Sequence, residues 1–309
     1  MENSRRLAKT WPYPFHRRYE EQMRAAATIW FSQRDVTVHR KYRYILANRD
    51  DWQQNIILPE VAEYIQDQRQ GFPLHKYIHH GLSSQAMLFN LIGPLIVRND
   101  LEPLRLALQA QNIAVPDVVS ADFEYENRTI FNEDSGQPTS IDLVLYDNEQ
   151  TPRLFIEAKL VEKEFGGCSV FQRGDCDGRN PASDLNLCYL HHIGRRYWSL
   201  MEKYGFLDGV IAQNMTCVFS TYYQFFRELL LALECGGVFV LLSDARNPTF
   251  DCEVPAGRRG LMPFLISLIP EVHRDKIASV SIQEVVASIE KSNRHEWVGA
   301  FKSKYGMTP

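Results

Sequence analysis

The sequence predicts an α/β fold: a mixed β-sheet carrying an antiparallel meander, flanked by helices and preceded by a helical N-terminal extension. Three observations predict it. Apolar residues recur at helical spacing through the first third of the 309-residue chain. Three strand-like runs then follow one another with short polar links. Later, the almost wholly apolar run GGVFVLLSD, Gly236–Asp244, reads as a buried strand.

Taken in order, residues 17–34 form the first predicted helix, with Tyr19, Met23, Ala26, Ala27 and Trp30 at helical intervals. Residues 55–70 form a second. The third is SSQAMLFNLIGPLIV, residues 83–97, with Ser83 as N-cap and Pro94 expected to bend or end it. Residues 102–111 form a short fourth. The character changes near Pro116. VVSADFEYENRTIF places Val119, Ala121, Phe123 and Tyr125 on one face of a strand, and SIDLVLYD and RLFIEAKL follow. The links NEDSGQPT and DNEQTP are rich in turn formers, so the three runs read as a meander. A long helix is expected over 182–204 and another over 225–234. Two more, 282–291 and 296–304, close the chain.

Six cysteines are too sparse for a disulfide scaffold, and no apolar run is long enough to span a bilayer. The N-terminus carries two arginines with no apolar segment after them, so a secretory leader is not expected. These features point to a cytoplasmic protein with reduced thiols and no membrane partner. Net charge is -4, which argues against a general nucleic-acid coat. The charge is uneven, however. Residues 1–49 hold eleven Lys/Arg and four acids, interleaved with Trp11, Tyr13, Phe15, Tyr19, Trp30, Phe31, Tyr42 and Tyr44. Cations beside stacking aromatics suit a nucleic-acid contact, although a solvated helix packing its aromatics inward is the commoner origin of such a run.

The sharpest feature is Ile141-Asp142, then fourteen residues, then Glu157-Ala158-Lys159. On a strand Glu157 and Lys159 point the same way and Ala158 the other. A hairpin brings Asp142 beside Glu157. Charges among Phe155, Ile156, Leu160 and Val161 are costly unless paired or bound to metal. Mg²⁺ (or Mn²⁺) takes few carboxylates and accepts phosphate oxygens. Asp142 and Glu157 would bind it, and Lys159 would orient the attacking water and neutralise phosphate charge.

Asp-x(n)-Glu-x-Lys across a strand hairpin resembles the PD-(D/E)xK nucleases, the restriction-endonuclease-like superfamily. The family's Pro before the Asp is Ile141 here. The resemblance spans residues 78–205 and implies a metal-dependent endonuclease acting on nucleic acid, DNA above all, in restriction, defence or repair. It implies a polar residue from the preceding helix, with Ser84, Gln85 and Asn90 as candidates, and an accessory carboxylate from Glu124 or Glu126. Such nucleases often dimerise to cut both strands, so a homodimer is an option. The chain then divides into a basic helical extension, 1–75, and a nuclease-like domain, 76–309.

Arg173, Arg179, Arg195 and Arg196 follow the candidate catalytic strand and could hold phosphates; pairing with nearby aspartates is equally expected. Some relatives in the superfamily carry an iron–sulfur cluster. Here Cys168, Cys176 and Cys188 could supply thiolates to such a cluster or to zinc, but the spacing matches no standard zinc pattern and buried free thiols are the favoured reading. Two other functions stay open: a catalytically inactive member that binds nucleic acid or a protein, and a cluster-bearing redox or repair protein.

Overall fold

Helix α1 (His16–Ser32) opens the chain as described by a computed structural model, which covers residues 13–68, 72–113, 117–254 and 257–307. The basic residues Arg5, Arg6 and Lys9 and the aromatic Trp11 lie outside the described residues. A 3₁₀ turn (Arg49–Asn55) leads to α2 (Pro59–Gln68), α3 (Ser84–Val97) and α4 (Glu102–Ala110). Strands β1 (Val118–Asn127), β2 (Thr139–Asp147) and β3 (Pro152–Lys159) form the antiparallel meander. An irregular connection contains α5 (Tyr197–Lys203). Helix α6 (Val218–Glu234) and β4 (Val238–Ser243) follow. A small hairpin (β5, Cys252–Val254; β6, Gly257–Arg259), α7 (Leu261–Ser267), β7 (Ile277–Ser281), α8 (Ile282–Ser292) and α9 (Val298–Lys304) complete the described chain.

The main sheet has the order β1-β2-β3-β4-β7; β3–β4 and β4–β7 are parallel. It is therefore the mixed sheet flanked by helices that the sequence predicts. Phe123, Leu143, Ile156 and Val240 face a core shared with α1–α4, α8 and α9. Val144, Phe155, Phe239 and Leu241 face a second core built on α5 and α6. Helix α3 lies between α2 and the sheet and is buried from Gln85 to Leu95, as a helix apolar all round must be. Ser83 accepts from the Ala86 N–H as its N-cap. Pro94 does not end the helix. The next three residues close it, and Arg98 N–H returns to the Pro94 carbonyl. A Cβ on Gly93 would stand 2.5 Å from Val61 Cγ1, so glycine sets the close approach of α2 and α3.

Two expectations are corrected. The helix expected over 182–204 is broken into a 3₁₀ turn (Leu185–Leu187), a four-residue turn of helix (Tyr189–His192) and α5, because Cys188 is extended (φ −91°, ψ 116°) and Gly194 turns left-handed at φ +86°. Tyr125 does not share a face with Phe123. Glu124 adopts φ +55°, and beyond it Tyr125 and its partner Ile141 pack into the second core while Phe123 and Leu143 pack into the first. One left-handed residue thus reverses the alternation at the point where β1 passes Asp142. No helix among the described residues is long and apolar enough to cross a membrane.

Candidate active site

The strand register brings the motif together. Leu143 pairs with Ile156 across β2 and β3, so one residue further on Asp142 meets Glu157. The β1–β2 register likewise sets Glu124, between Phe123 and Tyr125, beside Asp142. Glu157 and Lys159 are 2% and 6% exposed and point to the α6 side, while Ala158 packs into the other core. The Ala158 N–H donates to Asp142 Oδ2 at 2.8 Å, which fixes that carboxylate against β3.

Helix α6 completes the inner wall. It kinks at Tyr222 (φ −120°, ψ 35°), and the Gln224 N–H turns to the Gly166 carbonyl at 3.4 Å. The Gln224 side chain then bridges the motif: its Nε2 donates to Glu157 Oε1 at 2.7 Å and its Oε1 accepts from Lys159 Nζ at 2.9 Å. Lys159 Nζ also donates to Glu157 Oε1 at 2.6 Å. One turn on, Glu228 is 2% exposed, and its Oε2 has no hydrogen-bond partner. Gln224 and Glu228 escaped the sequence reading because they sit on a helix far along the chain. Their four-residue spacing, which puts both on one face of the helix, is the signal that could have found them.

Negative charge is in surplus here. Burial, then Glu157 and Glu124, raise the Asp142 carboxyl well above the usual range. Burial and Glu157 do the same to Glu228. Burial, reinforced by Glu157 and Glu126 against the Gln85 hydrogen bond, lifts Glu124 to about 7. Burial opposes the Lys159 charge, but Glu157, Glu162, Glu228 and Asp142 outweigh it and hold the ammonium above its ordinary value. One lysine faces four carboxylates, and a divalent cation would relieve the excess. Among the described residues no group of three or more His, Cys, Asp or Glu side chains is arranged, as it stands, to hold a metal ion. A hydrated Mg²⁺ needs only one or two carboxylates, and Asp142 and Glu157 are chemically suited to it.

These residues line an open cleft of about 1110 Å³. Gln85, from the N-terminus of α3, reaches its wall, donating to Glu124 Oε1 at 2.6 Å and accepting from the His75 N–H at 2.9 Å. Ser84 and Glu126 line the cleft as well. Asn90 does not: it is buried between Asn55, Ile57 and Tyr305. Arg173, Arg179 and Arg195 are also off the cleft wall. Arg179 pairs with Asp177 at 3.0 Å, Arg173 lies 3.8 Å from Asp175, and Arg195 holds the carbonyls of Asn132 and Ser135. Among the described residues, the cations that do line the cleft are Lys76 and Arg128, besides Lys159.

A family profile described as "Restriction Endonuclease associating with ARP" matches residues 24–306. The chain belongs to this family. No curated protein and no solved structure gives a match. Membership of a restriction-endonuclease-like family agrees with the mixed sheet, and the Asp142, Glu157 and Lys159 side chains stand at the end of its meander.

Proposed function

We propose that the chain is a divalent-metal-dependent nuclease that hydrolyses phosphodiester bonds in DNA. The observation that supports this most is the excess of buried carboxylates around a single lysine at the floor of an open cleft. Asp142 and Glu157 would hold Mg²⁺ or Mn²⁺, which supplies Lewis acidity and a more acidic bound water. Lys159 lies beside Glu157 and places a fixed positive charge where a phosphate oxygen gains negative charge. Gln224 sets the distance between the two, and Gln85 orients Glu124.

The cleft also extends in a way that suits a polymer. It shares Phe72, Pro73 and Leu74 with a neighbouring cavity of about 520 Å³, and His75, Ser84 and Glu162 with another of about 270 Å³. Arg24, Arg49, Lys76 and Arg128 supply cations along this path, and Tyr44 and Tyr77 supply stacking faces. The family description names an association with ARP; for this chain that association is an expectation that co-purification tests.

The deciding experiment follows nicking of supercoiled DNA with Mg²⁺ or Mn²⁺. Cleavage that disappears with chelator and in Glu157→Gln and Lys159→Met supports the reading. Absence of cleavage of DNA or RNA in any form with either metal, or unchanged cleavage in both variants, overturns it.

A further inference from the structure

The connection from β3 to α6, residues 160–217, contains little regular structure beyond α5 and isolated helical turns. Long connections of this kind are uncommon inside a folded domain unless something ties them down. Backbone hydrogen bonds bring the two ends of the connection together. Cys168 N–H donates to the Phe219 carbonyl at 2.9 Å, Cys217 N–H to the Gly178 carbonyl at 2.8 Å, and Asn180 N–H to the Met215 carbonyl at 3.0 Å. The Gly178 N–H points at Cys176 Sγ at 3.4 Å. As a result Cys168, Cys176, Cys188 and Cys217 all line one small cavity of about 30 Å³. These are the four cysteines of the connection; Cys235 and Cys252 lie elsewhere, and all six are free thiols. Aromatic rings, among them Trp198 and Phe219, make up much of the remaining wall, and among the described residues no carboxylate, amine, guanidine or imidazole lines it.

We propose that this cavity is a structural site for one zinc ion, with Cys168, Cys176, Cys188 and Cys217 as its four ligands. Four thiolates around one ion is a standard closed zinc site, and thiolates select such soft-tolerant metals over Mg²⁺. The size of the cavity argues for a single ion rather than a multi-iron cluster, since a void of this volume admits little more than one or two water molecules. The thiols line the wall and are not yet arranged around a metal, so binding requires them to close inward. Four thiol protons leave for solvent as four Zn–S bonds form, with no oxidant or reductant required.

The site is separate from the cleft but linked to it. The same connection supplies Gly166, whose carbonyl takes the Gln224 N–H, and Phe165, whose ring centre is 5.6 Å from Lys159 Nζ. Zinc would therefore fix the start of α6, and Gln224 with it.

The test is elemental analysis of the full-length protein after incubation with Zn²⁺ under reducing conditions and removal of free metal, together with the absorption spectrum after Co²⁺ replacement. About one zinc per chain is expected, with the visible bands of tetrahedral cobalt–thiolate. Cys188→Ser and Cys217→Ser should lose the ion, and Cys235→Ser and Cys252→Ser should keep it. The cobalt spectrum of the unaltered chain needs no variant to fold. Zinc no higher than in the buffer, full zinc retained in Cys217→Ser, or iron with sulfide in place of zinc overturns the proposal. None of these outcomes depends on nuclease activity, so a catalytically silent protein with bound zinc would leave this inference standing and remove only the earlier one.

Discussion

Lys159 and Lys304 are both buried, at 6% and 0% exposed, yet their surroundings treat them in opposite ways. Around Lys159 four carboxylates outweigh the cost of burial and keep the ammonium charged. Lys304, at the end of α9, donates to the carbonyl and the side-chain oxygen of Asn55 and lies near the Trp30 and Tyr305 rings. Burial there, with Arg34 adding repulsion, drives the ammonium well below its ordinary value. Asn55 in turn holds the carbonyls of Ile78 and His80, and Asn90 ties it to Tyr305. The second network closes the N-terminal loops onto the last helix, with every partner drawn from neutral groups. Burial of a charged residue alone therefore says little about function. An unbalanced set of like charges that opens on a cleft says much more.

The largest expected effect breaks the comparison at the cleft. Glu157→Gln or Lys159→Met should lower the metal-dependent nicking rate by on the order of 10²–10⁴-fold. Lys304→Met should leave it within about twofold, since Lys304 lies off the cleft wall. Equal losses in all three variants, measured at matched folded fraction, would mean that the two lysines are not functionally distinct. Next in size is Gln224→Ala. It removes the amide that bridges Lys159 and Glu157 while leaving both charges and their direct contact in place, and a loss of about tenfold in turnover with little change in substrate affinity is expected. A rate equal to the parent's would remove Gln224 from the site.

The convergence of Asp142, Glu157 and Lys159 on the cleft was legible in the sequence, and the reason is local. Asp142, Glu157 and Lys159 lie on adjacent strands of a meander, so a hairpin register and a two-residue period suffice to bring them together. Gln85 could be reached because it opens a strongly signalled helix. Gln224 and Glu228 required knowledge of which helix covers the sheet, and that depends on β3–β4 parallel pairing across more than seventy residues. The break at Gly194 and the reversed face at Glu124 were illegible for a related reason. Each turns on one residue's backbone angle, and the surrounding apolar pattern favours the regular element. Strand β7 escaped because IASVS offers five residues of weak alternation, and its place at the end of the sheet comes from packing against β4.

A stability effect sharpens the contrast between the lysines directly. A base whose folded-state pKa is depressed binds fewer protons folded than unfolded, so stability rises with pH up to the unfolded value. Chemical unfolding of the parent and of Lys304→Met between pH 7 and pH 9.5 should therefore converge on a parent that gains relative to the variant, by about 1–3 kcal/mol. A gap independent of pH would show that Lys304 is charged when buried, like Lys159.

The smallest effect belongs to Glu124. Its carboxyl is raised to about 7, and here the sign is reversed. The folded protein holds the proton more tightly than the unfolded chain, so this group's contribution is complete below the unfolded value near 4.5 and is lost as pH climbs through about 7. In metal-free buffer the parent should lose stability relative to Glu124→Gln between pH 5 and pH 8. The difference should be about 1–2 kcal/mol, discounted for a half-buried position that opens on solvent. Added Mg²⁺ should restore the parent most at the upper end of that range, where the carboxylates are ionised and the charge surplus is greatest. If magnesium stabilises the parent equally at pH 5 and pH 8, proton and cation do not compete at this cluster. The surplus of negative charge would then have some other counterpart than a divalent ion, and the distinction drawn between the two lysines would lose its link to catalysis.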